Sequence, residues 1–252
     1  ASLWTPADGP TTVGVIFGYP TSFCTSGDED CMQYVALPPL EGAYVPVRAK
    51  GVNKSCYITT DCSIDQALMQ RAVEDVVQDT FNMITVDGDT STNDTLLVLA
   101  NGLAGNAPIT GTGEGYARFR EALFTVCRTL AVKMAGDGEG ATRLIECKVT
   151  GADSMEVART AAKSVICSSL VKAAMFGADA NWGRVLCAIG YSGADVDVQK
   201  IGVSFRSHAG TVEVCKNGAG VAFSEEIAKT VLLEKEIEIL VGLNSGDVEA
   251  TA

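Results

Sequence analysis

Residues 111–136, GTGEGYARFREALFTVCRTLAVKMAG, decide the fold class. After the glycine-rich turn from Gly111 to Gly115, the apolar residues Phe119, Leu123, Val126, Leu130 and Met134 return at helical period until Gly136 stops the run. A helix of this length needs a broad apolar surface to lie on. Upstream, Ser63 and Gln66 have the spacing of a capping box, and Leu68, Ala72, Val76 and Val77 share one face, predicting a helix from Ser63 to near Phe81. Downstream, the Ala-rich stretch from Ser154 to Ser168, with Ala158, Ala161 and Ala162, predicts a third helix with a small face for close packing.

Between the helices lie strand candidates: Leu96 to Ala100, Thr142 to Thr150, Val185 to Tyr191, Ile201 to Arg206, Thr211 to Cys215 and Glu236 to Val241. The turn Ser207-His208-Ala209-Gly210 joins two of them at hairpin distance. Helices alternating with strands predict an α/β fold of helices layered on sheet. Before Lys50, Pro, Gly, Ser and Thr dominate and helical period is absent. The expected organisation is an atypical N-terminal segment, 1–50, followed by one domain, 51–252.

Composition narrows the function classes. The 252 residues are 47% hydrophobic, enough to bury a full core, and 31 acidic against 19 basic residues leave a net charge of -12. That sign disfavours nucleic acid, whose binding rests on Lys and Arg neutralising phosphates. No apolar run approaches the roughly 18 to 20 residues that cross a bilayer, and Ala1 to Pro10 has no basic start followed by an apolar core. A soluble, cytoplasmic protein without membrane contact is expected. The nine cysteines are odd in number, and Cys127, Cys147, Cys167 and Cys187 sit singly in apolar stretches, reading as buried thiols. Cys24 with Cys31, and Cys56 with Cys62, lack the spacing of a zinc site, so no metal is expected. The sequons at Asn53 and Asn93 would matter only in a secreted chain.

Several segments could carry chemistry. The densest polar cluster runs from Phe81 to Thr95, and could line a site or merely bond to its own backbone. It is no calcium loop, because counting from Asp87 puts Val98 where the bidentate Glu is needed. Asp87 and Asp89 also have the spacing of the nucleophile and general acid of a magnesium-dependent phosphatase, with Asp137 as a later metal ligand. Glu139 lies in the glycine turn Asp137 to Ala141, where a carboxylate can meet an ammonium group or simply face water. Arg184 could clamp a carboxylate, or tie down its loop through Asp179 and backbone carbonyls, with Trp182 in the core. The sole histidine, His208, stands in the predicted hairpin turn away from any nucleophile, which argues against a Ser-His or Cys-His triad.

Taken in order, Ile58-Thr59-Thr60-Asp61, Thr80-Phe81-Asn82, the string from Ile84 to Asp94, Asp137 to Thr142, Asn181-Trp182-Gly183-Arg184 and Gly190-Tyr191-Ser192-Gly193 resemble the motifs of the ornithine acetyltransferase (N-acetylglutamate synthase) family of arginine biosynthesis. The resemblance covers about Tyr57 to Ala252. It implies a layered αββα-type sandwich of mixed sheets and helices. It also implies a precursor that cuts itself before a threonine whose hydroxyl becomes the nucleophile and whose new α-amine, with a pKa of about 7.7 to 8.0, takes the proton. In that family the acetyl group of N-acetylornithine passes to the threonine and then to glutamate, releasing ornithine, and some members accept acetyl-CoA. No cofactor is implied. The preceding subunit supplies the oxyanion hole, and both subunits assemble into oligomers.

Residue by residue, the resemblance makes Glu139 the substrate-binding glutamate, and Lys50, followed by Gly51, the substrate-binding lysine before the cut. Counting back from Ile58, the nucleophile's place falls on Asn53, whose carboxamide cannot serve. Ser55 is the nearest hydroxyl and the expected catalytic residue. Ala1 to Ala49 does not resemble the family's first subunit. Two alternatives stay open beside the acetyltransferase: a non-catalytic relative that binds an amino acid or a partner protein, and the phosphatase.

Overall fold

The structure is a computed structural model that describes residues 13–14, 33–36, 44–47, 55–88, 95–138 and 140–252. The chain packs as two compact units, Ala1–Asn82 with Thr90–Asp137, and Met83–Asp89 with Gly138–Ala252.

In the first unit, β1 (Val13–Gly14) pairs antiparallel with β4 (Ser55–Thr60), while β2 (Gln33–Ala36) and β3 (Tyr44–Val47) form an antiparallel pair of their own. After β4 the chain forms α1 (Gln66–Val77), a 3₁₀ turn at Phe81–Met83, β5 (Thr95–Ala100) and α2 (Glu114–Gly136). Strands β4 and β5 run parallel in full register from Ser55 opposite Thr95 to Thr60 opposite Ala100. Parallel neighbours need a crossover, and α1 supplies it. Cys56 and Ile58 alternate inward from β4, and Val98 from β5, onto the stripe Phe119, Leu123, Val126, Cys127 and Leu130 of α2, with Ala72 and Val76 of α1 completing the core. Each large side chain so buried contributes about 1.5–3 kcal/mol.

The expected α2 is present within its expected limits. The start of α1 differs: Asp65, not Ser63, is its N-cap, accepting from the N–H groups of Ala67 (2.9 Å) and Leu68 (3.3 Å). Ser63 is otherwise engaged. Its N–H donates to Asn106 Oδ1 at 2.8 Å and its carbonyl accepts from Ile109 N–H at 3.0 Å, holding the chain extended where a capping turn would have to begin. The helix also ends at Val77, short of Phe81.

The second unit is built on β6 (Leu144–Ala152), α3 (Met155–Cys167), α4 (Ser169–Phe176), α5 (Trp182–Gly190), β7 (Gly202–Ser207), β8 (Gly210–Lys216), β9 (Ala219–Gly220), α6 (Glu225–Leu232), β10 (Glu236–Gly242) and β11 (Val248–Thr251). Its strands make one six-stranded sheet in the order β11-β6-β10-β7-β8-β9. Only β6 and β10 pair in parallel, so the sheet is mixed. Val149, Val203, Phe205, Val214, Ile237 and Ile239 are buried on one face, beneath Ala158, Ala161, Ala162 and Val165 of α3 and Val231 and Leu232 of α6. The alanine face predicted for the third helix is what meets the sheet. The hairpin β7-β8 turns through His208 and Ala209, with Ser207 opposite Gly210. The opposite face is polar, carrying Glu146, Lys148, Arg206, Glu213 and Glu238.

The mixed α/β class holds, with helix laid on sheet in each unit. One strand expectation fails: of the residues from Val185 to Tyr191, all but the last belong to α5, and Tyr191 is its C-cap. Asn181 Oδ1 caps it by accepting from Arg184 N–H at 3.2 Å, and Val185, Ala188 and Ile189 are buried at helical spacing. A short apolar run fits either period, and the cap decided it. Cys127 and Cys147 are buried as expected, but Cys167 and Cys187 are exposed, because they lie on the outward sides of α3 and α5.

Candidate functional site

Of the residues expected to act, Lys50 and Glu139, together with Asn53, lie outside the described residues. Ser55 is the first residue of β4, its main chain opposite Thr95 of β5. Thr95 closes the polar string that begins at Asp87, so the strand pairing brings the end of that string beside Ser55. Thr60, further along β4, is buried and structural: its hydroxyl accepts from Cys62 N–H at 3.1 Å and its carbonyl from Asn101 N–H at 3.1 Å.

The start of the polar string is held in the second unit. Met83 is buried in that unit's core, Lys163 Nζ of α3 donates to the Ile84 carbonyl at 2.6 Å, and Lys172 Nζ of α4 donates to the Val86 carbonyl at 2.6 Å. Alternate carbonyls are thus each held by an ammonium group. Neither lysine was singled out from sequence, where a lysine on a helix reads as solvated surface. Residues Ile84 to Gly88 form no strand, so Asp87 does not stand at the tip of the apolar strand that a phosphatase of the expected kind requires.

On either side of Glu139, the Gly138 carbonyl accepts from Ala141 N–H at 2.9 Å, and Gly140 has φ of 73°. The glycine turn predicted there is present at its described ends. Among the described residues, Arg184 clamps no carboxylate. Its guanidinium donates to the Leu170 carbonyl at 2.9 Å, while Asp179 accepts instead from the Asn181 amide at 3.1 Å. Trp182 packs partly buried against the core, and His208 is exposed at its hairpin tip.

The polar sheet face of the second unit holds a shallow hollow of about 360 Å³ bordered by Lys148, Thr150, Ser204, Arg206 and Glu213. Its cations are already matched. Lys148 pairs with Glu249 at 3.1 Å and Arg206 pairs with Glu238. Among the described residues no group of three or more His, Cys, Asp or Glu is placed to hold a metal, and no helix is long and apolar enough to cross a membrane.

Helices laid on a sheet in each unit define a layered α/β protein. The chain belongs to the ArgJ family, whose pattern matches residues 55–252. It is 50% identical over 196 residues to the arginine biosynthesis bifunctional protein ArgJ 1 of Clostridium acetobutylicum, covering 78% of this chain and 48% of that protein. It is likewise 50% identical to the corresponding protein of Caldanaerobacter subterraneus, covering 78% and 49%. The crystal structure of the arginine biosynthesis bifunctional protein from Bacillus halodurans superposes with a TM-score of 0.73 at 44% identity, covering 79% of this chain and 91% of that one. The chain spans about half the length of the curated relatives it matches.

Proposed function

We propose that this chain is the catalytic-subunit half of an acyltransferase that moves the acetyl group of N-acetylornithine to glutamate through a covalent acyl-enzyme, in arginine biosynthesis. The observation that carries this reading is the family match running unbroken from residue 55 to residue 252. The relatives' printed name, an arginine biosynthesis bifunctional protein, agrees with it.

In this reading a hydroxyl at Ser55 attacks the acetyl carbonyl, ornithine leaves, and the amine of glutamate attacks the ester in turn. The carboxylate of Glu139 receives the substrate's ammonium group, and Lys50 receives its carboxylate. The oxyanion must be stabilised by donors from a separate first subunit, in an oligomer that contains both. A supporting detail is that the chain covers 91% of the solved relative's chain but about half of the curated relatives, so the matched part exists elsewhere as a chain of its own. That fits a precursor that cuts itself. Residues 1–50 stand outside the family pattern as an atypical segment. Acetyl-CoA is a second acetyl donor to be tried; no cofactor is needed, and the setting is the cytoplasm.

Asn53 favours one other reading, a non-catalytic relative that binds an amino acid or a partner protein, because a carboxamide stands in the nucleophile's place. The intact mass of the purified chain, before and after incubation with N-acetylornithine, separates the two. Acyl transfer adds about 42 Da, mapped to a hydroxyl between Asn53 and Thr60. An unmodified chain that still binds ornithine would establish the binding relative instead.

A further inference from the structure

The geometry points to Cys167 and Cys187 as an oxidisable pair, two thiols that a peroxide closes into a disulfide bridging α3 and α5 of the second unit. The inference stands apart from the acyl-transfer reading, since neither residue belongs to the proposed catalytic set.

Two hydrogen bonds fix how the helices lie. Ser164 Oγ of α3 donates to the Ala188 carbonyl of α5 at 2.6 Å, and the Arg184 guanidinium of α5 donates to the Leu170 carbonyl of α4 at 2.9 Å. Going up the chain from Ser164 to Leu170 means going down α5 from Ala188 to Arg184, so the two stretches run side by side in opposite senses. Cys167 stands one helical turn beyond Ser164, and Cys187 one turn beyond Arg184; residues at this spacing share a face. Each thiol is thus the neighbour of a side chain that already reaches across the seam. Val165 and Ile166 of α3, and Val185, Ala188 and Ile189 of α5, are buried in the core, which leaves both cysteines on the exposed rim between the two bonds.

Local structure lets the pair close. Cys167 is the last residue of α3. Ser168 follows it, donating its N–H to the Val165 carbonyl at 3.2 Å and starting α4 through its hydroxyl, which accepts from Val171 N–H at 3.3 Å. A residue at such a junction can shift with little loss of helix bonding, because the last turn of a helix leaves its carbonyls without partners inside the helix. The chemistry needs one oxidant. One thiolate attacks the O–O bond of hydrogen peroxide, gaining an oxygen as sulfenic acid and releasing hydroxide; the second thiolate attacks that sulfur, the S–S bond forms and the oxygen leaves as hydroxide. With the two thiol protons counted, two thiols and one peroxide give one disulfide and two waters. In a reducing compartment, disulfides of this kind are transient and redox-sensing.

The test treats the full, reduced chain with a small excess of hydrogen peroxide, blocks the remaining thiols and maps peptides by mass spectrometry, beside Cys167→Ser and Cys187→Ser. The parent is expected to yield a peptide pair joining Cys167 to Cys187, about 2 Da lighter than the two reduced peptides together and separated by a reductant. On a denaturing, non-reducing gel it should still run as a single chain. Each serine variant should lose the linked pair, and its remaining thiol should instead carry oxygen, a gain of about 32 Da as sulfinic acid. Both positions are exposed, so the serine variants leave the core intact. Oxygen on both cysteines of the parent with no linked pair would overturn the proposal. So would a link from either one to another cysteine, a link between two copies of the chain, or two thiols left unoxidised.

Discussion

The indole of Trp182 lies directly over Gly220: a Cβ placed on Gly220 would come within 2.7 Å of Cζ2 and 3.0 Å of Cε2. The first residue of α5 and the short edge strand β9 are thereby locked together, and the indole cannot retreat because it packs against the core of the second unit. Gly220→Ala is expected to cost about 1–3 kcal/mol by overpacking, read as a lower urea midpoint with unchanged slope. Gly190→Ala, with open space around its position, is the control and should cost under about 1 kcal/mol.

The cap of α1 makes a second, sharper comparison. Asp65 accepts two helix N–H groups, whereas Ser63 is held through its main chain. Asp65→Ala should destabilise by about 1 kcal/mol, and Ser63→Ala by under about 0.5 kcal/mol. Equal losses in equilibrium unfolding would mean that Ser63 contributes to the cap after all.

What could be read from sequence tracks how redundant each signal was. Helix α2 was legible because five apolar residues, a glycine start and a glycine stop agree over about six turns. The strand-to-strand hairpin at His208 was legible from its turn length. The segment 185–191 was misread because apolar residues in so short a run satisfy both periods, and only the Asn181 cap breaks the tie. The family motifs around Thr59, Asp87 and Asn181 were legible as a set because order and spacing add information that no single motif holds. The lysine pair was not legible at all: its meaning depends on where the break at Ser168 turns the chain, a tertiary fact with no local signature.

The core thiols predict how stability responds to alkali. Burial, and then the neighbouring Cys56, push the Cys127 thiol from 9.0 up to about 12, and burial raises Cys147 as well. A folded-state value above the unfolded one means that the unfolded chain loses its proton first as pH rises. The stabilisation is therefore whole below about pH 9 and is lost progressively as pH climbs through about 12. Urea midpoints should hold steady to about pH 8.5 and decline beyond it. Cys127→Ala should be less stable at neutral pH, through its cavity, but show a shallower decline. A decline of identical steepness would show that other groups drive it. In the native state Cys167 and Cys187, which are exposed, should react with a thiol reagent well before Cys127 or Cys147.

The catalytic assignment is tested at Ser55 and Glu139 together, because they answer for different steps. If Ser55 carries the acetyl group, Ser55→Ala abolishes the covalent adduct and lowers turnover by about a thousandfold or more, while ornithine binding persists. Ser55→Thr keeps a hydroxyl and should retain a measurable adduct. Glu139→Ala leaves the nucleophile in place but removes the anion proposed to meet the substrate's ammonium group, so the adduct still forms at high N-acetylornithine and ornithine affinity falls about tenfold or more. An adduct that survives Ser55→Ala would move the nucleophile to another hydroxyl. Ornithine affinity untouched by Glu139→Ala would take that residue out of the site, since a carboxylate in direct contact with an ammonium group cannot be deleted without loss.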